Sequence, residues 1–414
     1  RIDSSTSPGN DEFQVQPIDL PPEVARLPLQ ERSGSWAEII QADAKRRDFT
    51  CNTLLHNIEN GEIIDPTGQG LADLENKILR TVSPDSFRDD PLRILRGLAR
   101  VSRDGMQFDP ETEEQAKGWV HQANHTSGSL SAERVQGELQ KILAGTNSTG
   151  AFELLRDWDA IDGVLPGWGE CVGFDQQSRY HSLDVDRHMF QALRYADRQG
   201  YSPSMKMAVL LHDIGKPPTA KPGKDGYLHY YQAAKTDPLW QSNPTRAKAH
   251  ETVGAEMTRE ILNGLRYPET EKDQIVYLVQ HHMFSEERDF FQRPPAKQEN
   301  IARRMLYRHG IEQSELLLQL RACDLNGKKE SPTAGWDKDI IALSEMLEQQ
   351  KHQPHRLEHL CLNGGDIISM GAKPGPQVGD VLRNLLKQVV GDPGANTPDR
   401  LKRIARGLIQ ASAE

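Results

Sequence analysis

Arg46-Arg47-Asp48-Phe49-Thr50-Cys51-Asn52 opens the stretch of sequence, residues 46–103, around which the rest of the chain is organised. In residues 53–65, which follow, two apolar runs flank Asn60-Gly61. Asn-Gly in this setting predicts a β-hairpin, because both residues of a tight hairpin turn must tolerate positive φ. Residues 65–74 come next and read Asp-Pro-Thr-Gly-Gln-Gly-Leu-Ala-Asp-Leu. This Gly-rich segment is predicted to be a loop that leads into a helix.

The helix predicted at the end of this stretch has two different faces. Four arginines recur at three- and four-residue spacing and share one face: Arg93, Arg96, Arg100 and Arg103. Four apolar residues recur in the same way and form a face to bury: Leu92, Leu95, Leu98 and Ala99. The pattern therefore predicts an amphipathic helix that presents a row of guanidinium groups.

Asp90 and Arg93 are candidate nucleotide-binding residues, since they lie one helical turn apart. A carboxylate accepts hydrogen bonds and a guanidinium donates them in a planar fork, so the pair suits the edge of a nucleobase. Four residues nearby suit a ribose and a triphosphate: Arg46, Arg47, Asp48 and Asn52. The alternative for each motif alone is a surface helix with ion pairs and a capped loop. The three motifs in this order favour the nucleotide site.

Together these motifs resemble the class II tRNA nucleotidyltransferases, which include the CCA-adding enzymes and the bacterial poly(A) polymerases. The matching patterns are Arg-Arg-Asp-Phe-Thr-x-Asn at 46–52, Asp-Pro-x-Gly-x-x-x-x-Asp-Leu at 65–74 and Asp-Asp-Pro-Leu-Arg-x-Leu-Arg at 89–96, and the match continues at 108–112, 131–134 and 138–143. The resemblance implies that the first motif contacts the nucleotide sugar and that Asp90 and Arg93 pair with incoming ATP or CTP in place of a template. The implied nucleotide-binding set is Arg46, Arg47, Asp48, Asn52, Asp90, Arg93 and Arg96.

The sequence departs from that family before residue 46. The family's polymerase metal site is a Gly-Gly-x-x-Arg-Asp loop followed by an Asp-x-Asp pair, and residues 1–45 contain neither. Asp11-Glu12 is an adjacent pair, and adjacent residues on a strand point to opposite faces. Residues 1–45 are therefore predicted to lack the site for Mg²⁺-dependent nucleotidyl transfer. The start at Arg1, without Met, fits a sequence cut from a longer one.

Composition restricts the class of protein. A length of 414 residues predicts about two to four domains or one series of helical modules. The formal charge of −10 argues against indiscriminate nucleic-acid binding but allows a local basic face. The four cysteines are far apart and form no Cys-x-x-Cys, which suits a reduced, cytoplasmic protein without a disulfide framework or zinc ribbon. Apolar runs of transmembrane length and a signal-peptide pattern are both absent from the sequence.

Histidines cluster after residue 171 and indicate a second site. His188 lies on a predicted helix that ends near Arg198, and residues 208–217 read Ala-Val-Leu-Leu-His-Asp-Ile-Gly-Lys-Pro. The adjacent pair His212-Asp213 on an apolar helix is costly to bury unless it binds something. Imidazole nitrogen and carboxylate oxygen together suit divalent metals. For His188 or His281 alone, the alternative is a hydrogen-bonded histidine in a helical core.

The histidine pattern resembles the HD superfamily of metal-dependent phosphohydrolases. The residues that match its core ligands are His188, His212, Asp213 and Asp324. His250 and His282 match the additional histidines that allow a second metal, with His281 as the alternative to His282. The resemblance implies that Asp213 and Lys216 are catalytic, with Lys216 near a substrate phosphate, and that the metal is Mn²⁺, Ni²⁺, Co²⁺ or Mg²⁺. The pattern assigns no role to His181.

The order of the motifs is itself informative, because many bacterial CCA-adding enzymes carry an HD domain directly after the nucleotidyltransferase body. That domain is associated with phosphatase, 2′-nucleotidase and 2′,3′-cyclic phosphodiesterase activities. The implied fold is mainly α: an elongated helical neck and body, an all-α HD domain, and a small β element from an incomplete nucleotidyltransferase head. The predicted domains are the head remnant at 1–65, the nucleotide-selecting neck and helical body at 66–168, the HD domain at 169–330 and a helical tail at 331–414.

The resemblance implies a CCA-adding tRNA nucleotidyltransferase homologue that binds ATP, CTP and tRNA for 3′-CCA addition or repair, and that also carries a metal-dependent phosphohydrolase. One alternative is a bacterial poly(A) polymerase. The usual lack of an HD domain in those enzymes argues against this alternative. The other alternative is a stand-alone HD phosphohydrolase or RNA-binding protein with a non-catalytic N-terminal half. An Asp-x-Asp encoded just before Arg1 would favour the first interpretation, and its absence would favour the last.

Overall fold

The computed structural model describes residues 2–3, 14–15, 36–58, 60–126, 130–178, 182–284, 286–328 and 336–411, and helices dominate them. This confirms the predicted mainly-α class. The α-helices of the described residues are α1 (Trp36–Lys45), α2 (Gly70–Glu75), α3 (Ser86–Asp89), α4 (Leu92–Asp104), α5 (Pro110–Trp119), α6 (Ala132–Ala144), α7 (Ser148–Asp157), α8 (Ile161–Val164), α9 (Val185–Gln199), α10 (Pro203–Leu211), α11 (Lys216–Thr219), α12 (Leu239–Ser242), α13 (Pro244–Ala247), α14 (His250–Gly264), α15 (Glu269–His281), α16 (Pro295–Asn326), α17 (Trp336–Gln350), α18 (Gly364–Ser369), α19 (Pro376–Gly391) and α20 (Pro398–Ala411).

The strands are short and pair two at a time. They are β1 (Ile2–Asp3), β2 (Gln14–Val15), β3 (Leu55–His56), β4 (Ile63–Ile64), β5 (Ile78–Leu79), β6 (Gln107–Phe108), β7 (Lys221–Pro222) and β8 (Leu228–His229). The pairs β1–β2, β3–β4 and β7–β8 are antiparallel, whereas β5–β6 is parallel. Leu55 lies opposite Ile64, and Gly61 has a φ of +73°. The predicted antiparallel hairpin is therefore confirmed, but residues 57–62 join its strands, and not a tight turn of Asn60-Gly61 alone.

The Arg-rich helix α4 buries its leucine face, as the spacing of the leucines predicted. Leu92, Leu95 and Leu98 are at most 2% exposed. Gly97 lets β6 approach closely, since a Cβ at this position would lie 2.5 Å from the Phe108 ring. Phe49, the aromatic residue of the first motif, is fully buried and meets the Phe108 ring edge-on at 6.3 Å. At the N-terminal end of this helix, Arg93 and Arg96 contact the loop that carries residues 46–52.

One hydrophobic core runs from Phe49 to Leu347 and crosses the boundary predicted at residue 168. Buried polar groups cross it too: Lys206 Nζ lies 2.8 Å from the Asp197 carboxylate and 2.7 Å from the carbonyl oxygen of Gly145. A second core lies in the C-terminal region, where α19 packs against α18 and α20 through residues such as Leu385 and Leu401. Helix α19 is therefore a packed element of the helical tail.

Among the described residues, no helix combines the length and the apolar character needed to cross a bilayer. Asp11-Glu12 and His181 lie outside the described residues.

Candidate metal centre and nucleotide site

Five separate segments bring six buried side chains together. His188 lies on α9, His250 is the first residue of α14, His282 follows α15, and Asp324 lies near the end of α16. The ligand atoms lie within 4.8 Å of one another in each of two groups: His188, His212 and Asp324, and Asp213, His250 and His282. Each of the six residues is at most 5% exposed.

The His212-Asp213 pair lies in a tight turn rather than on a helix, which corrects the prediction. Helix α10 ends at Leu211, and α11 begins at Lys216. Gly215 makes the turn possible, because a Cβ at this position would lie 2.1 Å from the carbonyl oxygen of His250. The turn thus lies directly against the start of α14, and His212 and Asp213 point at the histidines of the other helices.

Asp213 belongs to both groups of ligands. Its Oδ2 lies 3.4 Å from His188 Nε2 and 3.3 Å from His212 Nε2, while its Oδ1 lies 3.4 Å from His250 Nε2 and 3.7 Å from His282 Nε2. Asp324 Oδ1 completes the first group at 3.1 Å from His188 Nε2. The two groups of side chains would hold divalent metal, and Asp213 would offer one carboxylate oxygen to each group.

The backbone sets which nitrogen of each ring faces the centre. The Nδ1 atoms of His212 and His282 each lie 2.7 Å from the carbonyl oxygen three residues earlier. A carbonyl oxygen only accepts hydrogen bonds, so Nδ1 carries the proton and Nε2 of the neutral ring presents a lone pair. His250 Nδ1 likewise lies 3.3 Å from the carbonyl oxygen of Tyr230. This is the arrangement in which an imidazole binds a metal through Nε2.

Electrostatics favours the metal-binding protonation states of several ligands. Burial opposes the charge of Asp213, but Lys216 and His212 outweigh it and hold the pKa of this carboxyl well below its usual range. Burial also opposes the charge of Asp324, and Lys328 and His188 hold its pKa well below the usual range too. Burial lowers the pKa of His188 and of His282. Ionised carboxylates and neutral imidazoles are the forms that bind a cation.

His212 differs from the other two histidines. Its burial opposes a positive charge, but the Asp213 carboxylate beside it prevails and raises the pKa of this imidazole. A proton on His212 and a cation in the first group would therefore compete for the same carboxylate, so metal binding would release the proton.

Arg321 orients Asp324 from behind. Its Nη1 donates to Asp324 Oδ2 at 2.6 Å, while its Nε and Nη2 donate to Glu287 Oε1 at 3.0 and 2.8 Å. Arg321 and Glu287 are at most 5% exposed. Such outer partners fix the direction of a ligand and its basicity. Neither residue was predicted from the sequence, because Glu287 reaches Arg321 only through tertiary packing.

The predicted nucleotide site lies at the N-terminal end of α4, where Arg93 holds the first motif in place. Arg93 Nη2 donates to the carbonyl oxygen of Arg46 at 2.7 Å, and its Nη1 donates to that of Arg47 at 3.2 Å and to Ser86 Oγ at 2.9 Å. The guanidinium is therefore held by protein acceptors in this structure. Arg46 extends outward, with 58% of its side chain exposed.

Asp90 has a partner that the site prediction did not include. Its Oδ2 accepts a hydrogen bond from Arg134 Nη2 at 2.9 Å, and its Oδ1 accepts from the backbone N–H of Leu92 at 3.2 Å. Arg134 lies in the first turn of α6, where Ser131 Oγ accepts from its backbone N–H. The pattern at 131–134 was part of the resemblance, but spacing alone did not indicate contact with Asp90.

The remaining predicted nucleotide residues lie around the same loop. Asn52 Nδ2 donates to Asp48 Oδ1 at 2.8 Å. Arg96 reaches both Asp48 Oδ2 and Glu138 Oε1 at 3.8 Å, and 42% of its side chain is exposed. Arg47 instead turns away and donates through Nε to Asp43 Oδ2 at 3.0 Å. The structure thus joins the first motif, α4 and α6 in one cluster of alternating charge.

Comparisons with known proteins identify the family of the chain. The A-adding tRNA nucleotidyltransferase of Deinococcus radiodurans is 30% identical over 414 aligned residues, which cover 94% of this chain and 86% of that protein. The chain belongs to the class II tRNA nucleotidyltransferases. Family models also match three parts of it: a poly(A) polymerase head domain at 22–80, a "Probable RNA and SrmB-binding site of polymerase A" at 105–171, and domain 2 of tRNA nucleotidyltransferases at 250–405.

Other members of this tRNA nucleotidyltransferase family match over a shorter length. The multifunctional CCA protein of Nitrosomonas eutropha is 32% identical over 247 residues, 59% of this chain and 53% of that protein. The chain spans about half the length of the multifunctional CCA proteins that it matches. The solved CCA-adding enzyme of Bacillus stearothermophilus in complex with CTP has the same fold, with a TM-score of 0.57 at 21% identity over 90% of this chain and 75% of that one.

Proposed function

We propose that this tRNA nucleotidyltransferase binds ATP or CTP together with tRNA for 3′-CCA addition or repair, and that the cluster of α4, α6 and the first motif selects the nucleotide. Membership of the family carries this proposal. Relatives named as A-adding and as CCA proteins, and a related structure in complex with CTP, support these partners. Magnesium would serve nucleotidyl transfer in the whole protein.

The charges of the cluster support base selection. Asp90 accepts hydrogen bonds and Arg93 donates them, so a base edge with one donor and one acceptor satisfies both. Asp90 is already oriented by Arg134, and Arg93 by the loop carbonyls of residues 46 and 47. A preorganised pair favours the matching base, because the wrong base leaves a polar group of the pair without its partner.

Equilibrium binding of the four ribonucleoside triphosphates to the purified chain tests this proposal. ATP and CTP should bind more tightly than GTP and UTP, because the latter two present different base edges. Equal affinity for all four nucleotides would contradict selection by this cluster. A tRNA that lacks its CCA end should bind in the same assay, and a tRNA with the complete end serves as the comparison.

We also propose that the six-ligand centre is a divalent-metal site that hydrolyses phosphoesters, namely 2′,3′-cyclic nucleotides or phosphomonoesters. The observation that carries this proposal is the convergence of imidazole Nε2 atoms, 3.2 Å apart for His188 and His212 and 3.3 Å apart for His250 and His282. Facing lone pairs repel each other in a dry interior unless a cation or a proton lies between them. Together with the carboxylates, the donor set suits borderline divalent ions.

The chemistry of the site follows from these groups. A divalent cation supplies Lewis acidity, polarising a phosphoryl oxygen and lowering the pKa of water near it. The water gives up a proton and its oxygen forms a bond to phosphorus, while the bond from phosphorus to the leaving oxygen breaks. The leaving oxygen takes up a proton, so the net change is the addition of one water molecule. Lys216, whose Nζ lies 2.6 Å from Asp213 Oδ2, is close enough to stabilise the negative charge on the phosphoryl oxygens.

Metal analysis of the purified chain, followed by hydrolysis assays, tests the second proposal. The substrates are 2′,3′-cyclic AMP and p-nitrophenyl phosphate, each with added Mn²⁺, Ni²⁺, Co²⁺ or Mg²⁺. We expect bound metal and turnover with at least one of these ions. A chain that takes up no metal and cleaves neither substrate would mean that the histidines are structural.

A further inference from the structure

The segment between α11 and α14, residues 220–249, reaches the candidate metal centre from outside the helical core. It contains the short pair β7–β8, after which Tyr230 follows directly. The carbonyl oxygen of Tyr230 accepts a hydrogen bond from the backbone N–H of His250 at 2.8 Å. The rings of Tyr230 and His250 are 6.2 Å apart and nearly perpendicular. The segment is therefore fixed next to a ligand of the centre.

Lys216 is enclosed between this segment and the helical core. It is 5% exposed, and its Nζ lies 2.6 Å from Asp213 Oδ2 and 2.7 Å from Gln176 Oε1. The same ammonium group lies 5.7 Å from the centre of the Tyr230 ring. A cation over an aromatic face is stabilised by the ring electrons. A carboxylate, an amide oxygen and an aromatic ring thus surround the ammonium group.

Gln176 connects these partners and is itself fixed. It is 1% exposed, and its Nε2 donates to the carbonyl oxygen of Leu183 at 2.9 Å. Its backbone carbonyl oxygen accepts from the Tyr230 hydroxyl at 2.7 Å, while its side-chain oxygen accepts from Lys216. Burial raises the pKa of Tyr230, which keeps this hydroxyl protonated and able to donate. A short chain of contacts therefore runs from Tyr230 through Gln176 to Lys216.

We propose that Gln176 and Tyr230 are positioning residues that hold the Lys216 ammonium in the direction of the substrate phosphate, so that residues 220–249 form part of the hydrolytic site. This inference rests on the phosphohydrolase proposed above. An ammonium group has three N–H donors. Gln176 Oε1 accepts a hydrogen bond from Lys216 Nζ at 2.7 Å, and Asp213 Oδ2 lies 2.6 Å from the same nitrogen as its ion-pair partner. These two contacts fix the ammonium group, and a further N–H meets a phosphoryl oxygen. Charge on that oxygen grows in the transition state, so a fixed donor contributes mainly to kcat.

Substitution of Gln176 in the full chain provides the first test. Gln176→Leu keeps the side-chain volume but removes the acceptor for Lys216. The kcat for 2′,3′-cyclic AMP hydrolysis with Mn²⁺ should fall about 10-fold, the lower range for losing an outer partner of a site. The metal content should equal that of the wild-type chain, because no ligand atom has changed. Loss of metal together with activity would show a structural role and overturn the proposal.

Tyr230→Phe and Tyr231→Phe form a matched pair that avoids any change in the packed core. Tyr230→Phe removes only the hydroxyl that holds Gln176, so kcat should fall while KM changes little. Tyr231 is the next residue, is 62% exposed and has its hydroxyl 2.6 Å from His229 Nδ1, away from Lys216. Tyr231→Phe should keep the wild-type kcat. Equal rates for the two variants and the wild-type chain would overturn the proposal.

A double-mutant cycle distinguishes positioning from a general loss of structure. Lys216→Met alone should lower kcat by about 100-fold, as expected for one contact in the transition state. If Gln176 acts through Lys216, adding Gln176→Leu should then lower kcat by less than about twofold. Additive losses would overturn the positioning role while leaving the hydrolase intact. A wild-type chain that binds no metal and hydrolyses nothing would instead overturn the proposed function itself.

Discussion

The Nε2 atoms of His250 and His282 lie 3.3 Å apart, and the Nδ1 atom of each ring lies within 3.3 Å of a backbone carbonyl oxygen. Two neutral imidazoles arranged in this way face each other with lone pairs, which costs free energy in a buried site. A cation between the rings removes that cost. If the folded state binds metal at this centre as proposed, the unfolded chain holds it less well, and metal binding should raise the free energy of unfolding.

Chelation should accordingly lower the Tm of the chain. A metal ion present at a free concentration of 100 times its Kd adds about 2.7 kcal/mol to the free energy of unfolding. EDTA should remove this stabilisation, and added Mn²⁺ should restore it. Differential scanning calorimetry with and without EDTA measures the change. His282→Ala should abolish the response to EDTA. His281→Ala is the matched control, because His281 contacts Tyr277 and His309 rather than the centre. If neither EDTA nor Mn²⁺ changed the Tm, the metal assignment would be contradicted.

Asp213→Ala should lower phosphoester hydrolysis by at least about 100-fold, the lower range for removing one transition-state contact. The reason is that both oxygens of Asp213 face imidazole nitrogens and one also faces Lys216, so no neighbour can replace it. Steady-state assays with p-nitrophenyl phosphate measure the loss, and circular dichroism checks the helical fold. Asp380→Ala is the control, since Asp380 is an exposed partner of Arg383 on α19. Retention of activity by Asp213→Ala would contradict the proposed site.

Acid should destabilise the chain through His309. Burial, with His281 and Arg308 nearby, lowers the pKa of His309 from 6.5 to about 4. The unfolded state therefore binds more protons between these values, and its stability relative to the folded state rises as the pH falls. Above pH 6.5, His309 is neutral in both states and does not reduce the free energy of unfolding. As the pH falls from 6.5 toward 4, the unfolded state takes up the proton first, and the free energy of unfolding decreases. His309→Gln should flatten the dependence of Tm on pH in this window, and an unchanged slope would contradict the assignment.

The helical class, the antiparallel hairpin and the segments that meet at the candidate metal centre could be predicted from the sequence. The pattern around His212 and Asp213 predicts a ligand site well. It combines a His-Asp pair with a glycine, Gly215, that permits close packing against another helix. The choice between His281 and His282 depended on where α15 ends. The structure ends α15 at His281, and His282 then turns inward.

The partners of these residues could not be predicted, because tertiary packing alone brings them together. Gln176 and Lys216 are 40 positions apart, and Glu287 and Arg321 are 34 apart. A single buried glutamine carries no periodic signal, and an ion pair between distant helices has no fixed spacing. Arg134 was within a matched motif, yet its contact with Asp90 spans 44 positions and follows from how α6 packs on α4.

The 414-residue chain is expected not to add nucleotides to tRNA. Residues 1–45 contain no Asp-x-Asp pair, so a carboxylate pair that could hold the metal for the attacking hydroxyl and the triphosphate is missing before the first motif. Incubation with a tRNA lacking CCA, labelled ATP or CTP, and Mg²⁺ measures the activity. A CCA-adding enzyme from another source is the positive control. Clear incorporation of label by the chain itself would refute this expectation.

Arg93→Ala should weaken the binding of both ATP and CTP, because the variant loses two different sets of contacts. The variant loses the donors that we propose for the base edge, and it releases the backbone carbonyls of Arg46 and Arg47 and the Ser86 hydroxyl. Arg93→Lys keeps a charge but not the planar fork, so it should recover little of the affinity.

Arg103→Ala is the matched control, because Arg103 lies on the same helix but pairs with Asp104 at the far end. Isothermal titration with ATP and CTP should show a loss of about tenfold or more for Arg93→Ala, equivalent to about 1.4 kcal/mol, the net contribution of one or two hydrogen bonds. Arg103→Ala should bind as the wild-type chain does. If Arg93→Ala kept the wild-type affinity and base preference, Arg93 would serve only to hold the loop, and selection would have to lie elsewhere in the cluster.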